Sequence, residues 1–316
     1  MKPKIFVDGQ EGTTGLKIHE RLAGRTDVDV LRIDPGKRKD VEARRALINE
    51  ADLVFLCLPE AASREAVSLV TNPRTRIIDA STAFRTDSDW TYGIPELNQK
   101  QRQFIAASHR VSNPGCHATG FILALYPLIQ EGIVPKDYPV TCQSITGYSG
   151  GGRKLIAEYE SNPSGRDKLE FPRHYALNFS HKHLPEMQKV TGLLYPPIFN
   201  PVVADVYSGM AVTVPLESRL LSKKSSAKKV QEVLASYYAA ERFVRVLPYE
   251  ADAYLDNGYF NMAECNNTNR IDLFVFGNDD QMVLLSRLDN LGKGASGAAV
   301  QNMNIMLGVD EGLGLE

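Results

Sequence analysis

The sequence predicts an α/β fold, with a Rossmann-type, doubly wound parallel sheet in a first domain and an α+β second domain with a largely antiparallel sheet. Three observations carry this. A chain of 316 residues amounts to about two domains at roughly 150 residues each. Short apolar strands alternate with helical periods through the first third, the pattern of a parallel sheet covered on both faces. After Pro114 the pattern changes to strands whose spacing suits an antiparallel sheet.

The elements follow in order. Lys4 to Val7 is a short apolar strand, and Leu16, His19 and Leu22 then recur at helical spacing. A second strand, Val28 to Ile33, ends at Asp34-Pro35-Gly36. A helix over Val41 to Asn49, a buried strand over Ala51 to Leu58, a helix over Glu60 to Val70 and a strand over Arg76 to Asp79 complete the alternation. A long helix is expected from Cys116 to Gln130, then a strand from Val140 to Ile145 and a glycine-rich loop, Gly147 to Gly152. Further strands are expected at Ala211–Pro215, Phe243–Leu247, Ile271–Phe276 and Met282–Leu288, with helices at Ser225–Arg242 and Gly297–Leu307.

Composition excludes several classes. Lys and Arg total 36 against 38 for Asp and Glu, a net charge of −2, so no basic excess exists to hold nucleic acid or an anionic membrane. Hydrophobic residues at 43% and charged residues at 23% argue against disorder and coiled coil. The longest uncharged apolar run, Gly120 to Ile129, falls short of the roughly 18 residues of a spanning helix. Only Ile5, Phe6 and Val7 form an apolar stretch before Asp8, too few for a signal-peptide core. A cytoplasmic globular protein is expected. None of Cys57, Cys116, Cys142 and Cys265 forms a C-x-x-C pair, and no structural metal is expected.

Gly9, Gly12 and Gly15 lie directly after a strand and open a helix, as G-x-x-G-x-x-G. Glycines there let backbone approach a pyrophosphate, and the helix N-terminus offers free N–H groups and a positive dipole end. Thr13 and Thr14 add hydroxyl donors. The plainer reading, a glycine turn with positive φ, loses weight in this strand-turn-helix setting. Asp34 is placed to grip the ribose 2′-hydroxyl of NAD. Lys37, Arg38 and Lys39 follow at once and suit a 2′-phosphate, although such runs are usually solvated charge. The three cations favour NADP.

Ser112-Asn113-Pro114-Gly115-Cys116 is the most informative segment. Pro114 and Gly115 punctuate a loop and Cys116 starts a helix, where the dipole favours thiolate and backbone N–H groups can stabilise an oxyanion. Cys57 reads as core, and Cys142 and Cys265 have no activating surroundings. His181 and His183, two apart and ahead of a Pro185-led helix, offer an acid/base partner, or else a cap or surface histidines; no further ligand at metal spacing accompanies them. His19, His109, His117 and His174 have weaker claims.

Taken together, Gly9–Gly15, Asp79–Arg85, Tyr92-Gly93-Ile94-Pro95-Glu96-Leu97, Ser112–Cys116, Gly147–Lys154, His181–Glu186 and Asp289–Gln301 resemble the N-acetyl-gamma-glutamyl-phosphate reductases of the semialdehyde-dehydrogenase superfamily, in their shorter form. These stretches span almost the whole chain in the expected order. Ser-Asn-Pro-Gly-Cys with Tyr-Gly-Ile-Pro-Glu-Leu is the specific pair. The glycine turn departs from the longer members by carrying Gly-Thr-Thr-Gly where an aromatic residue is often found.

The resemblance implies that Cys116 attacks the acyl phosphate of N-acetyl-L-glutamyl 5-phosphate, expels inorganic phosphate and holds the acyl group as a thioester, which NADPH reduces to the 5-semialdehyde, a step of arginine biosynthesis. A histidine, His181 or His183, manages the proton. Residues 1–114 with about 290–316 form the NADP-binding domain, and 115–289 the catalytic and dimerisation domain of a homodimer or homotetramer. Pro59, Ser81, Asn290, Gly292 and Gly294 join Gly9, Gly12, Thr13, Thr14, Gly15, Lys37 and Arg38 as cofactor-binding candidates. Arg85, Asn113, Arg153 and Lys154 are substrate-binding candidates, each with surface solvation as the plainer reading. The Gly147–Gly152 loop is a phosphate nest or a connector. Competing readings are an aspartate-semialdehyde dehydrogenase, a reductase of a carrier-linked glutamyl phosphate, a cysteine hydrolase and a non-catalytic dinucleotide sensor.

Overall fold

The structure, a computed structural model, describes residues 1–10, 12–161, 167–249 and 251–315. Glu11, inside the glycine turn, lies outside them. The chain forms two compact units, residues 1–115 with 295–316, and residues 116–294.

In the first unit β1 (Lys4–Asp8), α1 (Thr13–Leu22), β2 (Asp29–Leu31), α2 (Val41–Glu50), β3 (Leu53–Leu56), α3 (Glu60–Ser68) and β4 (Arg76–Asp79) follow the expected alternation. β5 (Thr91–Tyr92), α4 (Gln101–Ala107) and β6 (Arg110–Ser112) extend it, and α9 (Gly297–Leu307) returns to it. All six strands are parallel, in the order β2-β1-β3-β4-β6-β5. The direction of winding reverses between β1 and β3, so a crevice opens at their carboxyl ends, where nucleotides bind such sheets. Phe6, Val54, Leu56 and Ile77 form a core with Phe84 and Trp90. Burial of each such side chain contributes about 1.5–3 kcal/mol.

The Tyr92–Leu97 stretch has a structural role in this unit. Asn302 Nδ2 of α9 donates to Gly93 O at 3.0 Å, and Gln301 Nε2 donates to the buried Glu96 carboxylate at 2.8 Å. The segment therefore clasps the C-terminal helix to a sheet made near the N-terminus.

The second unit holds α5 (Cys116–Gln130), β7 (Thr141–Gly147), α6 (Gly152–Ser161), β8 (Arg173–His174), α7 (Leu184–Thr191), β9 (Ile198–Ala204), β10 (Met210–Glu217), α8 (Ala227–Tyr237), β11 (Val244–Val246), β12 (Ile271–Gly277) and β13 (Gln281–Leu288). Its seven-stranded sheet runs β11-β12-β13-β10-β7-β9-β8. Four of its ladders are antiparallel, and β11–β12 and β7–β9 are parallel. The sheet is therefore mixed and mostly antiparallel. α5 is apolar nearly all round and lies against β10 and β13, with Phe121, Leu125 and Leu128 wholly buried. On the strands β11 to β13, Arg245 and Arg287 converge with Arg270 on the buried Asp272. Burial pushes that carboxyl up, but the guanidinium bonds outweigh it and hold it below the usual range. No helix among the described residues is long and apolar enough to cross a membrane.

Candidate active site

The glycine turn is shaped by close approach. Gly9 has φ +88°, and a Cβ on it would stand 2.3 Å from Cys57 O at the end of β3. A Cβ on Gly15 would stand 2.4 Å from Gly9 O. Glycine at both places lets the turn fold tightly onto the β1/β3 crevice and open α1, whose N-cap is Gly12. Thr13 Oγ1 is buried there without a hydrogen-bond partner among the described residues, a polar atom suited to a bound phosphate. Asp34 spends its Oδ1 on Gly36 N at 2.7 Å, which closes the turn carrying Lys37 and Arg38. Pro59 caps the start of α3. Ser81 donates its hydroxyl to Asp79 at 2.7 Å and receives Ala83 N, so it fixes its own loop.

Two expected substrate ligands in this unit are engaged in holding backbone. Arg85 donates to Asn113 O at 3.0 Å and to Ala80 O at 3.1 Å. Asn113, 1% exposed, donates to Ala295 O at 2.9 Å and accepts from Asn302. Both fasten the loop from which the chain enters the second unit.

That unit begins with Cys116 at the first turn of α5, in the dipole position the sequence predicted. Burial raises the other thiols, Cys265 to about 11, with Cys57 and Cys142 higher still. Cys116 is half-buried. Its surroundings are histidines. One donor atom each of Cys116, His117 and His183 lie within 4.8 Å of one another, and His181 packs edge-on to His183 with ring centres 4.7 Å apart. His183 N–H donates to His181 Nδ1 at 3.1 Å, so the neutral His181 ring carries its hydrogen on Nε2. His117, which the sequence ranked below this pair, is 3% exposed and bonded at both ring nitrogens, Nδ1 with Ser144 Oγ at 2.7 Å and Nε2 with Tyr175 Oη at 2.8 Å. Burial, with the charges of His181 and Lys182, lowers it to about 3, so it is neutral at working pH. Cys, His and His are zinc-type donors, but His117 has both nitrogens committed to hydroxyls.

The return loop frames the cysteine. Asp289 accepts from Asn267 N and Leu291 N, each at 2.8 Å. Asn290 accepts from Gly209 N at 2.9 Å and donates to Ser149 Oγ at 3.0 Å. Gly292 lies where a Cβ would meet Thr268 O at 2.2 Å, and Gly294 where a Cβ would meet the Cys116 Cβ at 2.7 Å. Asn290, Gly292 and Gly294, expected on the cofactor side, belong to the second unit, and of the three Gly294 stands against Cys116. The Gly147–Gly152 loop is no nest at its start: the N–H groups of Gly147, Tyr148 and Ser149 go to the carbonyls of Gly209, Val206 and Tyr207. Arg153 and Lys154 stand exposed on the first turn of α6, which has no acidic residue to offset its dipole.

Residues 6–105 match the semialdehyde dehydrogenase NAD-binding domain, and residues 116–290 the semialdehyde dehydrogenase dimerisation domain. The chain is 48% identical to N-acetyl-gamma-glutamyl-phosphate reductase 2 of Nostoc sp. over 99% of both proteins. It is 44% identical to N-acetyl-gamma-glutamyl-phosphate reductase 2 of Pseudomonas putida over 97% of each. Among solved structures, the aspartate semialdehyde dehydrogenase of Francisella tularensis superposes with a TM-score of 0.71 at 15% identity, over 97% of this chain and all of that one; this likeness concerns the fold.

Proposed function

The chain belongs to the semialdehyde dehydrogenases, in the branch of the N-acetyl-gamma-glutamyl-phosphate reductases, and from that premise we propose how its residues carry the reaction. The activity is NADP-dependent reduction of N-acetyl-L-glutamyl 5-phosphate to the 5-semialdehyde, with release of phosphate, a step of arginine biosynthesis. One observation carries the assignment of the centre: Cys116 opens α5 with a nitrogen of His183 within 4.8 Å of the reacting group.

Cys116, as thiolate, adds to the acyl carbon. The helix N-terminus receives the oxyanion, and collapse expels phosphate to leave a thioester on sulfur. NADPH, when bound, supplies hydride to the thioester carbon. His183, as the acid, gives a proton to the resulting oxyanion to form the thiohemiacetal, and takes it back as the C–S bond breaks and the aldehyde leaves Cys116 as thiolate. His181, tied to the His183 amide, orients it. Gly9, Gly12, Thr13, Thr14 and Gly15 fit the cofactor pyrophosphate, the orphaned Thr13 hydroxyl above all. Lys37 and Arg38 suit the 2′-phosphate, because Asp34 is already spent on its own turn. Arg153 and Lys154 suit the anionic substrate; Arg85 and Asn113 hold the loop before Cys116. A homodimer or homotetramer built on the second unit is part of the same proposal, supported by the exposed Leu194, Tyr195 and Ile198 on one stretch, as is a cytoplasmic location.

The reaction run backwards tests this. The semialdehyde, phosphate and NADP are mixed with the protein, and the near-ultraviolet absorbance of the reduced cofactor is followed. Phosphate-dependent formation of NADPH that vanishes in Cys116→Ser is expected. Turnover that persists in Cys116→Ser would remove the thioester route.

A further inference from the structure

His117 is bonded at both ends, and the two bonds have a direction. Ser144 is wholly buried on β7, and among the described residues its hydroxyl has one partner, His117 Nδ1 at 2.7 Å. If Nδ1 carried the hydrogen, Ser144 would accept it, and the Ser144 hydroxyl proton would be left buried with no acceptor, which costs about 1–3 kcal/mol. Ser144 therefore donates to Nδ1. A neutral imidazole then carries its hydrogen on Nε2, so Nε2–H donates to Tyr175 Oη at 2.8 Å. His117 is the sole hydrogen-bond partner of that hydroxyl among the described residues. With its oxygen already accepting, the Tyr175 O–H is free to donate elsewhere. A nitrogen of His117 lies within 4.8 Å of the Cys116 sulfur, so the Tyr175 hydroxyl held on His117 Nε2 belongs to the same cluster as the thiol, and the negative charge of Cys116 acts on that hydroxyl.

We propose that Ser144, His117 and Tyr175 form a one-way hydrogen-bond relay that makes the Tyr175 hydroxyl a donor to the Cys116 thiolate. Ser144 and His117 are positioning residues: neither need touch the sulfur, and each sets which way the Tyr175 proton points. The relay rests on the reading of Cys116 as the reactive thiol, but needs no particular substrate. The other titratable groups facing the cluster are His181, Lys182 and His183, and all three stay in place in the variants below.

The test uses the full chain without substrate or cofactor, so it is separate from the assay of reduction. Alkylation of Cys116 by iodoacetamide is followed by mass spectrometry across pH. Tyr175→Phe and Ser144→Ala are each expected to raise the pH midpoint by about one unit, about tenfold slower labelling near neutrality. The double variant is expected to go no further than either single one, since both remove the same bond, and Ser144→Thr to restore the wild-type profile. A wild-type midpoint in Ser144→Ala, or fully additive shifts, would overturn the relay. Nitrogen-15 NMR of histidine-labelled wild-type protein reads the direction without any change at Ser144. With the His117 signal assigned by its loss in His117→Asn, the Nε2–H tautomer is expected, and the Nδ1–H tautomer would overturn the proposal.

Discussion

Gly294 lies so near Cys116 that a Cβ on it would stand 2.7 Å from the cysteine Cβ, although the two are far apart in sequence. Only a bare α-carbon fits there, with the Cβ and Cα of Cys116 close against it. Gly294→Ala must therefore displace the first turn of α5 or the loop behind it. Overpacking of this kind costs about 1–3 kcal/mol. We expect stability to fall by that amount in urea unfolding, with kcat down at least about tenfold because the sulfur leaves its position. A variant with wild-type kcat would show that the thiol is held by other contacts.

The two histidines of the His-x-His pair are expected to differ. General acid–base groups contribute roughly 10²–10⁴-fold, so His183→Gln should lower kcat by about a hundredfold or more with KM little changed. His181→Gln, which loses the bond from the His183 amide and the ring's packing on His183, should cost about tenfold or less. Steady-state kinetics of both variants decides it, and the reverse ranking would hand the proton to His181.

Cofactor preference is expected to lie in Lys37 and Arg38. The double variant Lys37→Ala with Arg38→Ala should lower kcat/KM for NADPH by about tenfold or more, since charge-assisted bonds to a phosphate are the strong ones. The value for NADH should change little. Equal losses with both cofactors would make this pair a solvated charge run.

His117 makes stability depend on pH with a definite sign. Its folded value of about 3 lies below its ordinary 6.5. Between these two pH values the unfolded chain binds the proton and the folded one does not. The stabilisation is therefore complete above about pH 6.5 and declines as pH falls toward about 3, by up to about 1.4 kcal/mol per pH unit. Urea midpoints between about pH 7 and pH 4 should show that decline in the wild type and a shallower one in His117→Asn. Parallel slopes would mean that His117 takes up a proton in the folded state.

Much of the frame was legible because it is written locally. α5 begins at Cys116 and β4 spans Arg76–Asp79, as Pro-Gly punctuation and an apolar run implied. β9 was missed: Asn200-Pro201 interrupts its apolar pattern, yet Pro201 pairs with Ser144 in a parallel ladder near the sheet edge. α6 was not read, because the glycines of the loop that ends at Gly152 mask its start. At the site, Cys116 and the histidine pair carry local signals, but Ser144 and Tyr175 do not. Serine in a strand and tyrosine in a loop are ordinary, and only the folding of β7 and the segment after β8 onto α5 brings them to His117. Asn302 and Gln301 were equally unreadable as the partners of Gly93 and Glu96.

The clasp around Tyr92–Leu97 has a consequence for synthesis. Its bonds to Asn302 and Gln301 span 209 and 205 positions. A ribosome adding about 5–20 residues per second takes roughly 10–40 s to make that stretch. During this interval residues 116–294 emerge whole, while the sheet begun first waits for its last helix. The earliest part of the chain to be translated is thus the last to be finished, and a premature stop before Gln301 falls hardest on residues made at the start.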